Sequence, residues 1–277
     1  MTVKQILVPV DFSPCSKNAV KIASELARRW DAHVNLIHAI ATPVPHPDIA
    51  SHVVIEPMLE EYDTEIKSSF SELENSMPEL RAVSHSLDSL MGSVTEVVRE
   101  KVLTDQIDLI VMGTKSEHDF MERLLGSLSS EISSHSRVPV LVIPENIENL
   151  DIEKIGVASD FKQIKDWKIM KLVNALADIL AADIEVFHIH HPDERIAINK
   201  SQDAQTLRDL FGTHLIGIRQ VSNEDIRSGL EEYLENNGVD LLVMMPHDRG
   251  FLDKLVHGSM TKKMVSQVKI PLIAIHQ

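Results

Sequence analysis

The residues able to do chemistry in this 277-residue chain fall just after short apolar runs. Asp11 follows Ile6-Leu-Val-Pro-Val10, and Gly113-Thr-Lys-Ser116 follows Asp108-Leu-Ile-Val-Met112, with Gly126-Ser127 further on. Glycine lets backbone approach a phosphate closely. A helix opening after it offers free N–H groups and the positive end of its dipole. Ser127 adds a hydroxyl donor, and a carboxylate such as Asp11 accepts from an exocyclic amine or a ribose hydroxyl. Together these groups suit a nucleotide. Each also has a plainer reading: Asp11 as a cap for a helix beginning near Ser13, Gly113 as a tight turn. Neither a P-loop sequence nor a G-x-G-x-x-G is present.

Histidines give a second signal. His188, His190 and His191 close the run that starts at Ile184, while His247 and Asp248 follow Val239–Met245 and His257 precedes Gly258. If these run ends converge, with Asp160 beside them, they form a His/Asp set of the kind that binds zinc. The zinc candidates are His188, His190, His247 and Asp248. A solvated polar rim explains the same residues with fewer assumptions. The single cysteine, Cys15, excludes an intrachain disulfide and any cysteine-rich zinc site. A helix start lowers a thiol pKa, but no His or second Cys accompanies it, so Cys15 reads as inert. Trp30 and Trp167 read as packing residues, and no residue set supplies a general base for hydrolysis.

The elements that position these residues occur twice. Asp108-Leu-Ile-Val-Met112 returns as Asp240-Leu-Leu-Val-Met244, Gly126-Ser127 as Gly258-Ser259, and Val138-Pro-Val-Leu-Val-Ile143 as Ile270-Pro-Leu-Ile-Ala-Ile275. All three share an offset of 132 (240 less 108). The openings Gln5-Ile-Leu-Val-Pro-Val-Asp11-Phe12 and Lys154-Ile-Gly-Val-Ala-Ser-Asp160-Phe161 match at an offset of 149 (154 less 5). The second copy is therefore 17 residues shorter (149 less 132). The Pro-rich stretch after Ile40 is the expected place of the difference. Within each copy, apolar runs alternate with segments of helical spacing such as Ala19, Val20, Ala23, Leu26, Ala27 and Trp30. The order is β-α-β-α-β-α-β-α-β, with a 56–77 helix in the first copy and helices near 164–180, 200–211 and 225–236 in the second. Strands alternating with helices imply an α/β fold, with parallel sheets and helices on both faces. Residues 144–151, with alternating acidic, Asn and apolar residues, read as the linker between units at 1–146 and 151–277.

Composition narrows the partners. Lys plus Arg number 27 and Asp plus Glu 42, for a formal net charge of −15. Such a surface repels phosphate backbones, so no nucleic-acid partner is expected. No apolar run approaches the roughly 20 residues needed to span a bilayer, so no membrane partner is expected either. The first residues do not read as a signal peptide, which leads to a cytoplasmic expectation.

These motifs resemble the universal stress protein family, over the whole chain and as two tandem copies. The resemblance rests on Ile6-Leu-Val-Pro-Val-Asp11-Phe-Ser13, Asp108-Leu-Ile-Val-Met-Gly113, Gly126-Ser127 and Val138-Pro-Val-Leu-Val-Ile143. It implies doubly wound domains, each a five-stranded parallel sheet of order 3-2-1-4-5, paired through their last strands as an intramolecular pseudo-dimer that can associate further into a homodimer. ATP-binding members carry G-x-x-G, nine residues, then G-[S/T]. Here Gly113, Gly126 and Ser127 match, and Ser116 replaces the second glycine, placing a side chain beside the expected phosphates. The same resemblance puts Asp11 and the backbone around Ala39 at the ribose and adenine, Met112 beside the base, and Ser127 with Leu128 at phosphate. The implied ligand is ATP, with Mg, or a related adenine nucleotide. The second copy has Met245 and Asp248 at the positions of Gly113 and Ser116, so it is expected to bind no ATP in this manner. The rival reading is a structural or interaction protein of the same fold that binds no nucleotide; slow ATP hydrolysis ranks last.

Overall fold

The computed structural model describes residues 2–40, 52–114, 132, 136, 138–159, 167–193, 202–244 and 270–274. In the first copy the elements are β1 (Gln5–Pro9), α1 (Pro14–Trp30), β2 (His33–Ile40), α2 (His52–Ser76), α3 (Pro78–Arg81), β3 (His85–Met91), α4 (Val94–Thr104), β4 (Leu109–Thr114) and β5 (Val140–Pro144). In the second they are β6 (Lys154–Ala158), α5 (Trp167–Leu180), β7 (Asp183–His190), α6 (Gln202–Phe211), β8 (Leu215–Ser222), α7 (Ile226–Asn236), β9 (Leu241–Met244) and β10 (Leu272–Ala274).

The ten strands among the described residues join one sheet, in the order β3-β2-β1-β4-β5-β10-β9-β6-β7-β8. Counted within each copy, that is 3-2-1-4-5 twice, as the resemblance implied. Every pairing inside a copy is parallel. The copies meet where β5 and β10 pair antiparallel, Leu141 opposite Ile273. Both strands are buried throughout, so each last strand covers the other's otherwise open edge.

Central strands are apolar runs because helices cover both faces. One apolar layer carries Val8, Leu26 and Val111 of the first copy with Val157, Leu176 and Val243 of the second. The opposite layer joins Leu7, Ile110 and Val140 to Phe187, Leu242 and Leu272. Each layer runs through both copies. Across them, the Arg29 guanidinium also donates to the Ile179 carbonyl, at 2.9 Å. Trp30 is buried and Trp167 packs on the first layer, as packing residues should.

The repeated aspartates have a structural task. A carboxylate oxygen of Asp108 accepts from the Lys4 and Gln5 amides, at 2.8 and 3.1 Å. Asp240 does the same with Glu153 and Lys154, at 3.0 and 2.9 Å. Each staples the start of its fourth strand to the start of its first.

Three findings go beyond the sequence reading. Among the described residues α2 has 25 residues and α6 has 10, a gap of 15, and Pro57 of the Pro-rich stretch lies within α2. Pro43, Pro45 and Pro47 lie outside the described residues. Next, the linker is held down. Asn18 donates to the Ile147 carbonyl at 2.6 Å, Lys21 to that of Glu148 at 3.1 Å, and Leu150 and Ile152 are buried. Its apolar residues Ile147, Leu150 and Ile152 join the first apolar layer.

Finally, the second copy buries an acid where the first has an amide. Glu185 is fully buried on β7 and accepts from Tyr233 (2.7 Å), Lys154 (2.6 Å) and Arg219. At the corresponding place, 150 residues earlier (185 less 35), Asn35 bonds Gln5 at 2.9 Å. Burial raises the Glu185 pKa, but its bonds with Lys154 and Tyr233 and the Lys154 charge outweigh burial and hold it below the ordinary value.

Candidate functional site

The carboxyl ends of β1, β2 and β4 meet where strand order reverses, β1 pairing with β2 on one side and β4 on the other. In open α/β sheets such a crevice is where ligands bind.

Asp11 stands at this point, exposed, two residues past β1. Its Oδ1 accepts the Ser13 amide at 3.0 Å, closing a turn of the kind Asp favours. Ser13 is the cap of α1: its Oγ accepts from the Ser16 amide at 3.3 Å, and Pro14 opens the helix, where its missing N–H costs nothing. So the cap is Ser13, and Asp11 braces it from outside. Burial raises the Asp11 pKa. Hydrogen bonds from the Ser13 and Ser16 hydroxyls and the Ser13 amide prevail and hold the carboxyl below its ordinary range, so it is charged at neutral pH.

Between them, Phe12 adopts φ 60°, a left-handed conformation that costs a bulky residue free energy. Its ring meets Phe70 edge-on at 5.1 Å and lies 5.0 Å from the His38 imidazole, and this packing offsets the cost. The His38 Nδ1 lies 2.7 Å from the Val10 carbonyl. A carbonyl only accepts, so Nδ1 carries the proton and donates.

Ala39 and Met112 share one face of the sheet and pack in the same apolar layer; Met112 is buried and Ala39 half-buried. Gly113 lies within β4, paired with Ile143, not in a turn. A Cβ there would sit 2.1 Å from the Cys15 carbonyl oxygen and 2.5 Å from its carbon. Glycine is needed because the first turn of α1 lies directly on the strand. Cys15 is buried in that turn. Ser116, Gly126, Ser127 and Leu128 lie outside the described residues.

In the second copy, Asp160, His247, Asp248 and His257 also lie outside them. His188 is 8% exposed, and its Nδ1 donates to the Ser159 carbonyl at 2.7 Å. His190 donates to the His191 carbonyl at 2.9 Å, its ring 6.0 Å from that of His188. Among the described residues no group of three or more His, Cys, Asp or Glu is placed to hold a metal ion.

His38 was missed by sequence reasoning. Its signal was the repeat: Leu36-Ile-His-Ala-Ile40 returns as Val186-Phe-His-Ile-His190, and both histidines bond the carbonyl at the end of the neighbouring first strand.

Comparison with known proteins places the fold and the repeat. The sequence model of the universal stress protein family matches residues 2–144 and again residues 152–276. Two universal stress proteins of Methanocaldococcus jannaschii are 28% identical over 152 residues and 30% identical over 142. Each match spans 50% of this chain and 94% or 81% of the relative. A universal stress protein structure from Archaeoglobus fulgidus superposes on 100% of this chain and 99% of its own, with a TM-score of 0.71 at 15% identity. None of the described helices is long and apolar enough to cross a membrane. A double family match covering nearly the whole sequence, on a sheet that is twice 3-2-1-4-5, means that this chain belongs to the universal stress protein family, as two copies in tandem.

Proposed function

We propose that the chain is a cytoplasmic stress-response regulator whose first unit, residues 1–146, binds an adenine nucleotide, ATP with Mg in the simplest case. The second unit, residues 151–277, is its structural partner. One observation carries the reading: Asp11 is held charged and oriented by the α1 cap at the point where the strand order reverses. There it accepts from ribose hydroxyls or the adenine amine, with Ala39 and Met112 forming an apolar wall for the base. The phosphates fall to Gly113, Ser116, Gly126, Ser127 and Leu128. Gly113 serves packing against Cys15 in any case, so its part at phosphate is secondary. ATP carries Mg in on its own phosphates, and the chain's part is to bind and orient the base and sugar.

Heating the protein with and without ATP-Mg tests this, because a ligand bound only by the native state raises the melting temperature. Calorimetric titration then assigns the site. Asp11→Ala should weaken binding about tenfold, the loss of one hydrogen bond to a charged group. Ser116→Gly should strengthen it. No thermal shift at millimolar ATP-Mg would leave the chain an interaction protein of this fold.

A further inference from the structure

The strand end that carries Asp11 is held in an unusual way, and the hold is built twice. In a parallel ladder one residue bonds two residues of its neighbour, through its N–H and its C=O. Val10 makes the first of these bonds, its amide donating to the Ile37 carbonyl at 2.8 Å. The next bond of a regular ladder would run from the Ala39 amide to the Val10 carbonyl. At that carbonyl sits the His38 imidazole, with Nδ1 at 2.7 Å. The parity of β2 points the same way: the His33 amide donates to the Lys4 carbonyl, so odd-numbered residues of β2 turn their backbone groups towards β1. The Ala39 amide therefore faces the crevice between the ends of β1 and β2. Beyond Val10 the chain turns away through Phe12, whose left-handed backbone is held by its ring against His38 and Phe70.

The second copy repeats the arrangement. The Ser159 amide donates to the Phe187 carbonyl at 3.0 Å, and the His188 ring donates to the Ser159 carbonyl at 2.7 Å.

We propose that His38 is a positioning residue of the nucleotide site: by taking the Val10 carbonyl it ends the β1–β2 ladder, fixes the strand end that aims Asp11, and leaves the Ala39 amide turned towards the ligand. It acts through Asp11 and Ala39. This rests on the nucleotide reading given above.

His38→Phe keeps a ring against Phe12 and removes the donor. His38→Asn keeps a donor near the position of Nδ1. His188→Phe removes the matching bond in the second copy. Melting temperature, ATP-Mg affinity and the titration of the Asp11 carboxyl by carbon NMR are read for each. His38→Phe and His188→Phe should lower the melting temperature alike, since each loses the same bond. His38→Phe alone should raise the ATP Kd about tenfold and move the Asp11 titration up towards the ordinary carboxylate value. His38→Asn should bring both back to within about threefold of wild type in Kd. An unchanged Asp11 titration in His38→Phe, or an equal loss of affinity in His188→Phe, overturns the proposal. If the wild type binds no ATP, the functional reading falls, and the Asp11 titration still decides the positioning role.

Discussion

Gly113→Ala measures how tightly β4 and the first turn of α1 are packed at the candidate crevice. The added methyl would sit 2.1 Å from the Cys15 carbonyl oxygen, where ordinary van der Waals contact begins at 3.4 Å, a shortfall of 1.3 Å. The two nearest atoms are backbone, so no side chain can swing aside. Either β4 or the first turn of α1 must move. Overpacking a core usually costs 1–3 kcal/mol, and a rigid obstacle belongs at the upper end, about 3 kcal/mol here. Urea unfolding should show a lower midpoint with unchanged slope, the mark of lost stability without a changed denatured state. Adding Cys15→Ala should recover little, because it removes only Sγ, and the three nearest atoms, the Cys15 carbonyl oxygen and carbon and its Cβ, all remain. A loss below about 0.5 kcal/mol, or full rescue by Cys15→Ala, would refute the reasoning.

The buried acid of the second copy gives a pH test. The folded-state pKa of Glu185 lies below its unfolded value near 4.5, so its contribution is whole above that pH and is lost as pH falls through the folded value. Glu185→Gln should cost about 2–4 kcal/mol at pH 7 by leaving Lys154 without its buried partner, and should flatten the pH dependence below pH 4.5, seen in urea midpoints at pH 7 and pH 4. Residues 1–151 expressed alone would expose β5, whose partner is β10. Light scattering should find a dimer or larger species, and a stable monomer would show that this edge needs no cover. Zinc added to untagged protein and dialysed should leave less than about a tenth of an equivalent, since fewer than three described ligands converge. A full equivalent lost on His190→Ala would establish a metal site.

What could be read from the sequence, and what could not, follows the reach of each interaction. Strands buried on both faces show as apolar runs, so β4, β5 and β9 were plain, and their repetition at one offset carried the fold. Helical spacing placed α1 near Ser13, and the structure puts the cap on Ser13 itself, since capping is settled within four residues. The role of Asp108 could not be read this way: the aspartate was visible as part of a repeat, but it acts on amides more than 100 residues away. Gly113 was legible as a special residue and illegible in its cause, which is the Cys15 carbonyl on a different element. The hold on the linker was illegible because Ile147, Leu150 and Ile152 are spaced for neither helix nor strand, and the α1 side chains that bond its carbonyls lie more than 120 residues away.

His38 shows where a repeat can exceed periodicity. Alone it is an unremarkable histidine near a strand end. Set against His188 it is one of two, each donating to the carbonyl at the end of its first strand. The copies also share Asp11 with Asp160, but they part at the fourth strand end, with Gly113 answered by Met245 and Ser116 by Asp248. A bond kept in both copies cannot by itself specify a ligand; it serves the strand end on which a ligand group is mounted. Selectivity must then lie in what differs between the copies, and among the described residues at the first crevice Gly113 and Ala39 differ: they correspond to Met245 and Ile189. On the reading proposed above, the unshared small residues favour the first copy as the nucleotide site, and the shared clamp serves the strand end in both.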